Sequence, residues 1–136
     1  MLDTLFVYGT LMRTTDGAMH PLLLGRAEFL GSASIAGKLY LVHDYPGAII
    51  IEGDQPRIHG EVYHLFDAEK LLPMLDEYEE CAPNFPSPHE YQRLRRPIAR
   101  FDGQNLKAWV YQYNLATQQL KQIRSGDYRN HLSNPS

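Results

Sequence analysis

The 136-residue sequence predicts an α+β fold in which a mixed sheet or small barrel carries helices on its outside. One observation predicts this class, and two more predict a single packed domain. Short apolar and β-branched runs recur between turn residues, whereas amphipathic helical patterns are few. A hydrophobic share of 43% is typical of a packed protein rather than a disordered one. A chain of this length fills one self-sufficient core, so we expect residues 1–136 to form a single domain.

The N-terminal half predicts a strand, a helix and three further strands. Residues 5–8 form an apolar run that stops at a glycine, which indicates a buried strand leading into a tight turn. Residues 20–30 are rich in leucine and have a proline in the first turn, which predicts a short helix. Turns that contain glycine and proline then separate three predicted strands, over residues 35–43, 48–52 and 60–66.

The clearest helical pattern follows these strands. Asp67 can cap a helix over residues 68–80, in which apolar side chains recur at helical spacing. Residues 81–90 contain three prolines and are therefore predicted to form a stiffened loop.

The C-terminal part predicts a hairpin and a tail. Strands over residues 91–101 and 106–113 flank an Asp-Gly-Gln-Asn turn. Weak helical patterning covers residues 115–123, and the polar tail from about residue 126 is expected to fray.

Charge and cysteine content exclude several classes of protein. The net charge is −3, and the basic run Arg93, Arg95, Arg96 and Arg100 lies on a predicted strand where alternate side chains face opposite ways. This favours a solvated edge over a nucleic-acid surface. The single cysteine, Cys81, excludes an internal disulfide or a multi-cysteine zinc site, and we expect a cytoplasmic protein. No signal peptide or membrane-spanning stretch is predicted.

Glu79 stands out on the predicted helix of residues 68–80. A projection at about 100° per residue places it within the apolar arc. Burial raises the pKa of a carboxyl group toward the range of a general base. The alternative is that Glu79 lies in the last helical turn and reaches solvent or pairs with an arginine. The pattern alone leaves both readings open. The arc consists of Ala68, Leu71, Leu72, Leu75 and Tyr78.

The turn after the first strand is a second candidate. Gly9 allows the backbone to approach a ligand closely, and the successive N–H groups after Tyr8 can form an anion-binding concavity. An ordinary turn has the same composition. No phosphate loop or dinucleotide motif accompanies it.

Other combinations are weaker. Cys81 with His89 as its base would form a nucleophilic pair, but the two glutamates before Cys81 disfavour the thiolate. His59 and His64 are five residues apart on a strand and therefore on opposite faces, so no metal site is predicted. The aromatic residues of the last predicted strand alternate on one face and are expected in the core rather than in a stacking platform: Trp109, Tyr111 and Tyr113.

Five short motifs occur in a specific order: Phe6-Val7-Tyr8-Gly9-Thr10-Leu11-Met12, Tyr45-Pro46-Gly47-Ala48, Gly60-Glu61-Val62-Tyr63, Leu75-Asp76-Glu77-Tyr78-Glu79 and Tyr91-Gln92-Arg93. Together they resemble the γ-glutamylcyclotransferase-like family, which includes the γ-glutamylamine cyclotransferases and plant AIG2-like proteins. The resemblance extends to about Tyr113. Each motif is short, and it is their order and spacing that make the resemblance specific.

The resemblance implies a small mixed-sheet β-barrel with flanking helices and an enzyme, classed as a transferase or lyase, that needs no cofactor. Its substrate would be a small γ-glutamyl amide, which cyclises to 5-oxoproline and releases an amine. Glu79 matches the glutamate that moves the proton. The loop that holds the glutamyl group through backbone N–H donors corresponds to Tyr8, Gly9, Thr10 and Leu11. Candidate wall residues are Tyr45, Tyr91 and Tyr113.

Two departures from the family pattern keep other functions open. Glu80 stands where the family usually has glycine, and the proline-rich residues 81–90 are long for the connection to the Tyr-x-Arg element. Such a loop is either a substrate lid or a segment that blocks the pocket. A binding or regulatory module that keeps the pocket, or an amide hydrolase that uses Glu79, would carry the same motifs. The sequence leaves the oligomeric state open, and also the amine, among a peptide, a free amino acid, a polyamine and a protein-derived isopeptide.

Overall fold

The computed structural model describes residues 2–53 and 55–133, and these form seven strands and two helices. No helix within these ranges combines the length and the apolar character needed to cross a lipid bilayer. In chain order the elements are β1 (Thr4–Val7), β2 (Ala27–Leu41), β3 (Pro46–Ile50), β4 (Arg57–Leu65), α1 (Ala68–Tyr78), β5 (Tyr91–Arg100), β6 (Asn105–Tyr113), β7 (Lys121–Ile123) and α2 (Tyr128–Ser133).

Five strands close into a mixed barrel in the order β2, β4, β1, β6, β5. Only β1 and β6 run parallel among these described pairs. The barrel closes where Ala33 and Ser34 of β2 lie opposite Arg100 and Ala99 of β5. Beyond this point β2 continues, and β3 and β7 pair with its residues 37–41. The predicted α+β class, with a mixed barrel and flanking helices, is confirmed.

Strand β1 is buried on both faces. Leu5 and Val7 belong to the core beneath α1, whereas Phe6 and the following Tyr8 belong to the barrel interior. Because side chains alternate along a strand, both sets are held by packing at once. The loop that follows β1 therefore leaves from a fixed point. All five barrel strands contribute to the interior, for example through Phe6, Ile35, Val62, Ile98 and Val110.

Helix α1 packs on the outside of the barrel as its pattern predicts. The Asp67 side chain accepts a hydrogen bond from the Lys70 backbone N–H at 3.3 Å and caps the first turn. Each leucine on the buried face contributes roughly 2 kcal/mol to folding through removal from water. The helix ends at Tyr78 instead of residue 80. The buried residues are Ala68, Leu71, Leu72 and Leu75.

The helix predicted over residues 20–30 is wrong. The backbone N–H groups of Leu23 and Leu24 both donate to the His20 carbonyl at 2.9 Å, which forms isolated turns. Gly25 then adopts a φ of +77°, a left-handed conformation that ends helical winding. Leu23 is fully buried but Leu24 is 63% exposed, so the leucines do not form one apolar stripe. β2 begins two residues after the glycine and pairs with β4.

The hairpin of β2 and β3 also differs from the prediction. The predicted strand over residues 35–43 is only the second half of β2, and β3 begins at Pro46 rather than at residue 48. Because Pro46 already pairs with Leu41, the turn covers residues 42–45. The Val42 N–H donates to the Tyr45 carbonyl at 2.9 Å and closes it.

The tail forms elements that its pattern did not predict. Residues 121–123 of the weakly helical stretch form β7, and α2 follows from Tyr128. The Gly126 carbonyl accepts a hydrogen bond from the His59 N–H at 2.8 Å, and the Tyr128 side chain is 6% exposed. Residues 126–133 are thus attached to the barrel. The last residues of the tail expected to fray, 134–136, lie outside the described residues.

Candidate active site

A cavity of about 310 Å³ lies where the loop after β1, the β2–β3 turn, the end of α1 and the start of β5 meet. These segments are distant in sequence, and the barrel brings them together. Tyr113 does not line this cavity. Among the residues predicted from the sequence, those that line it are Glu79, Tyr8, Gly9, Thr10, Leu11, Tyr45 and Tyr91.

The loop after β1 lines this cavity with residues 8–11. The Met12 N–H donates to the Gly9 carbonyl at 3.0 Å, so the chain reverses tightly. A Cβ atom on Gly9 would lie 2.7 Å from Pro46 Cγ, so a side chain at this position would collide with the opposite wall. Within the described residues, no protein acceptor is shown for the N–H groups of Gly9, Thr10 and Leu11. These donors can therefore bind an anionic or carbonyl oxygen of a ligand.

Tyr8 has a structural role in addition to its place in the cavity wall. Its hydroxyl donates to the Tyr111 carbonyl at 2.6 Å and accepts from the Ala48 N–H at 3.2 Å. Both bonds are buried and connect β1 to β6 and β3. The Tyr8 hydroxyl is therefore already hydrogen-bonded within the barrel, which leaves the N–H groups of residues 9–11, unpaired within the described part of the chain, as the candidate donors to a ligand.

Glu79 is the C-cap residue of α1. Its backbone N–H donates to the Leu75 carbonyl at 2.9 Å, which fixes the start of its side chain. No hydrogen bond or ion pair to its carboxylate is shown within residues 2–53 and 55–133. Burial, with a further contribution from the negative charge of Glu90, raises the pKa of Glu79 from 4.5 to about 7. A carboxyl group in this range exchanges its proton near neutral pH.

The backbone conformation at Glu80 explains why glycine suits the position after Glu79. Its φ is +57°, in the left-handed region. Its N–H donates to the Glu77 carbonyl at 3.1 Å, and the Cys81 N–H donates to the Asp76 carbonyl at 2.9 Å. These two bonds form a Schellman motif, in which glycine avoids a cost of roughly 1 kcal/mol. The departure at Glu80 leaves this geometry intact and adds a carboxylate to the cavity.

An ion pair holds the end of α1 against the barrel. Arg93 Nε and Nη2 lie 2.7 and 3.1 Å from the two carboxylate oxygens of Asp76, which is a bidentate arrangement. The Tyr111 hydroxyl donates to Asp76 Oδ1 at 2.7 Å. The Arg93 guanidinium also lies over the Trp109 ring, 4.4 Å from its centroid. Asp76 is three residues before Glu79, so this network fixes the helix end that carries the candidate.

Tyrosines and a second carboxylate form the opposite wall. The Tyr45 hydroxyl donates to Glu90 Oε1, and the Tyr91 hydroxyl donates to the Pro46 carbonyl at 2.7 Å. Burial and the Glu90 carboxylate raise the pKa of the Tyr45 phenol, so it stays protonated as a donor. Tyr113 instead packs edge-on against the Tyr91 ring at a centroid distance of 5.7 Å. Tyr113 therefore supports the wall through Tyr91, and a direct contact of Tyr113 with a ligand stays a prediction.

Several lining residues were not predicted from the sequence. Glu90 directly precedes the Tyr-x-Arg motif, and Tyr78 directly precedes Glu79. Their positions beside these predicted site residues could have indicated them. The Tyr78 hydroxyl shares a hydrogen bond with Thr10 Oγ1 at 2.9 Å, which joins two lining residues. Asp44 lies in the β2–β3 turn and had no such signal. Four carboxylates and no lysine or arginine are found among the described lining residues: Asp44, Glu79, Glu80 and Glu90.

The alternative nucleophile Cys81 has unsuitable surroundings. Burial and the nearby Asp76 carboxylate raise the pKa of the thiol to about 12, so it is protonated near neutral pH. Cys81 and His89 line a separate groove of about 530 Å³. His89 Nε2 lies 3.1 Å from the Phe85 carbonyl. These observations argue against a cysteine-based reaction.

The two histidines considered as metal ligands have different surroundings. His64 Nε2 lies 3.1 Å from Asp3 Oδ2, while His59 is exposed on β4. No group of three or more histidine, cysteine, aspartate or glutamate residues suited to a metal ion occurs in the described ranges.

Comparison with known sequences identifies relatives over nearly the full length. Residues 5–130 match a family model described as "Gamma-glutamyl cyclotransferase, AIG2-like". The gamma-glutamylcyclotransferase family protein YtfP of Escherichia coli K12 is 33% identical over 125 residues, which cover 91% of this chain and 94% of YtfP.

Solved structures with a similar fold include three from different organisms. YkqA from Bacillus subtilis has a TM-score of 0.71 at 25% identity over 100% of this chain, which spans only 44% of YkqA. E. coli YtfP has a TM-score of 0.61 at 33% identity, over 92% of this chain and 95% of YtfP. An AIG2-like protein from Mus musculus, at 23% identity, shares the fold with a TM-score of 0.65 over 87% of this chain and 81% of its own. The chain therefore belongs to the gamma-glutamyl cyclotransferase, AIG2-like family.

Proposed function

We propose that this protein converts a γ-glutamyl amide to 5-oxoproline and a free amine, with Glu79 as the proton-transfer residue. One observation carries the proposal: a carboxyl group with a pKa of about 7 shares a small cavity with a loop whose backbone N–H groups have no protein acceptor within the described residues. Such a pair of features matches the needs of intramolecular aminolysis, in which a proton is moved and charge develops on a carbonyl oxygen.

The proposed reaction begins with the substrate α-ammonium group. The Glu79 carboxylate accepts one of its protons, and the resulting amine attacks the γ-carbonyl carbon of the same molecule. A carbon–nitrogen bond forms and closes a five-membered ring. The original amide carbon–nitrogen bond then breaks as protonated Glu79 returns its proton to the departing nitrogen. The regenerated Glu79 carboxylate takes the second proton from the positively charged ring nitrogen and passes it to the released amine, which leaves as an ammonium ion. The reaction needs neither water nor an oxidant, because substrate and products contain the same atoms and electrons.

The cavity contributes orientation and charge stabilisation in this proposal. The N–H groups of Gly9, Thr10 and Leu11 receive either the substrate carboxylate or the developing oxyanion. The volume of about 310 Å³ is near the lower end of the range for small-molecule pockets, about 300–1,000 Å³, which supports a small amide as the substrate. Tyr45 and Tyr91 supply the opposite wall.

The direct test is a chromatographic and mass assay for 5-oxoproline on a panel of γ-glutamyl amides. We expect product from the wild type and none from a folded Glu79→Gln variant, which keeps the side-chain shape but cannot transfer the proton. Glu77→Gln is the matched control, since Glu77 is an exposed carboxylate on the same helix. Free glutamate as the product would instead indicate an amide hydrolase. Binding of a γ-glutamyl ligand without turnover would indicate a binding module.

A further inference from the structure

The C-terminal helix α2 contacts both loops that define the cavity. The Tyr128 hydroxyl donates to the Asp44 carbonyl at 2.6 Å, within the β2–β3 turn. The next residue, Arg129, donates from Nη2 to the Arg13 carbonyl at 2.6 Å. Asp44 lines the cavity, and Arg13 follows the N–H array of residues 9–11 by two positions. Two adjacent side chains of one short helix therefore each hold the backbone of a different cavity loop.

A buried carboxylate strengthens the contact at Arg13. Glu61 is 3% exposed, and its Oε2 lies 3.2 Å from Arg13 Nε and 3.1 Å from Arg129 Nη2. Its Oε1 accepts from the Arg13 backbone N–H at 2.9 Å and from the Tyr63 hydroxyl at 3.0 Å. Charge-assisted hydrogen bonds of this kind are stronger than neutral ones. The end of the loop is thus fixed through its N–H, its carbonyl and its side chain.

Helix α2 is itself held in place against the barrel. The Gly126 carbonyl pairs with the His59 N–H at 2.8 Å, just before the helix. The Tyr128 ring is 6% exposed and belongs to the core of the barrel interior. Because α2 is anchored at these points, it can hold the loops that it contacts in fixed positions.

We propose that α2 is a clamp that sets the spacing of the two cavity loops, with Tyr128 and Arg129 as positioning residues for substrate binding. The part that concerns substrate rests on the proposed function. A loop whose donors are already in place loses less conformational freedom when it binds a ligand. In this proposal the N–H donors of residues 9–11 receive the substrate carboxylate, so loss of the clamp weakens binding of the glutamyl group, while the proton transfer at Glu79 continues.

Amide hydrogen exchange tests the positional claim without any need for activity. Tyr128→Phe is expected to accelerate exchange about fivefold at Val42, whose N–H closes the β2–β3 turn. Arg129→Met is expected to do the same at Met12 and Arg13. Exchange at Leu65, whose N–H is bonded to Asp3 on the barrel, stays at the wild-type rate.

Two control variants match these changes. Arg124→Met removes an exposed arginine of the same tail, and Tyr40→Phe removes a tyrosine hydroxyl for which no hydrogen bond is shown in the described ranges. Exchange in both clamp variants that equals exchange in the controls would overturn the proposal. So would an acceleration spread evenly over the barrel, since this indicates general destabilisation.

Kinetics on the best γ-glutamyl amide give the second measurement. Each clamp variant is expected to raise KM about fivefold and to leave kcat within about twofold of wild type. A fall in kcat with unchanged KM would contradict the clamp. If the wild type turns over no γ-glutamyl amide, the proposed function fails, and the exchange data still decide whether α2 positions the loops.

A milder variant covers the case in which Arg129→Met does not fold. Arg129→Lys keeps a positive charge for Glu61, but its Nζ lies one bond closer to the backbone than Nη2, the atom that reaches both Glu61 and the Arg13 carbonyl. Its exchange at Arg13 is expected to be faster than wild type while its melting temperature stays close to that of Arg124→Met. Wild-type exchange at Arg13 in this variant would count against the clamp.

Discussion

Replacing Glu79 by glutamine is expected to raise the free energy of unfolding, by an amount that increases with pH. Burial raises the pKa of Glu79 from 4.5 to about 7, so the folded state binds more protons than the unfolded chain between these values. The folded wild type therefore loses stability as pH rises through this window. Glutamine is neutral throughout and has nearly the same shape, so it avoids this loss.

The magnitude follows from the two pKa values. At about 1.36 kcal/mol per pH unit, the difference between 4.5 and about 7 corresponds to a full effect of about 3 kcal/mol. At pH 5 the pH is only about half a unit above the unfolded-state pKa of 4.5. The glutamine variant is therefore expected to be about 1 kcal/mol more stable than wild type at this pH. At pH 8 the gap reaches about 3 kcal/mol.

Urea unfolding at pH 5 and pH 8 measures this gap as a difference in the free energy of unfolding. Glu77→Gln, on the exposed side of α1, is the control and is expected to follow the wild type at both pH values. A gap for Glu79→Gln that does not change between pH 5 and pH 8 would refute the reasoning. A gap of the same size in the control would refute it as well.

Three further predictions concern the cavity. Glu80→Gly is expected to stabilise the protein by about 1 kcal/mol in thermal or urea unfolding, because the φ of +57° suits glycine. Gly9→Ala is expected to reduce kcat/KM at least about tenfold, because the new Cβ would lie 2.7 Å from Pro46 Cγ, and an unchanged value would contradict the close approach. In Glu90→Gln, the acid limb of the pH profile of kcat/KM is expected to move below the value of about 7 set by Glu79, because one of the two causes of that raised pKa is removed. A limb that stays in place would show that Glu90 does not influence the titrating group.

The position of Glu79 on the apolar side of α1 could be predicted from the sequence because that signal is local, whereas its catalytic role stays a prediction. The apolar stripe of α1 is set by residues within 11 positions of one another, and Glu79 follows directly from the same periodicity. The glycine after Tyr8 had a local signal too, since a strand that stops at glycine indicates a tight turn. Burial of the first strand on both faces explains why this turn is held firmly.

The errors arose where long-range contacts decide the structure. Residues 27–30 look helical, but they pair with β4, and this pairing outweighs the leucine pattern. The tail contains few apolar residues, yet Tyr128 reaches the Asp44 carbonyl 84 positions away. Arg129 donates a hydrogen bond to Glu61, which lies 68 positions earlier in the chain. No periodicity in the sequence of the tail indicates these partners.

Tyr113 shows the same limit within the site. Tyr111 and Tyr113 share one face of β6, so a pattern treats them alike. In the structure Tyr111 lines the cavity, whereas Tyr113 packs against the Tyr91 ring. The difference arises from where α1 and the β2–β3 turn cover the barrel, which the strand itself does not encode.

The most direct test of the central claim is to run the reaction in ¹⁸O-labelled water and record the mass of the products. If Glu79 promotes intramolecular aminolysis, the wild type yields 5-oxoproline without ¹⁸O, since no water enters the product. Glu79→Gln then yields none. Labelled glutamate, or 5-oxoproline that carries ¹⁸O, would show that water attacks the γ-carbonyl and would contradict the cyclisation.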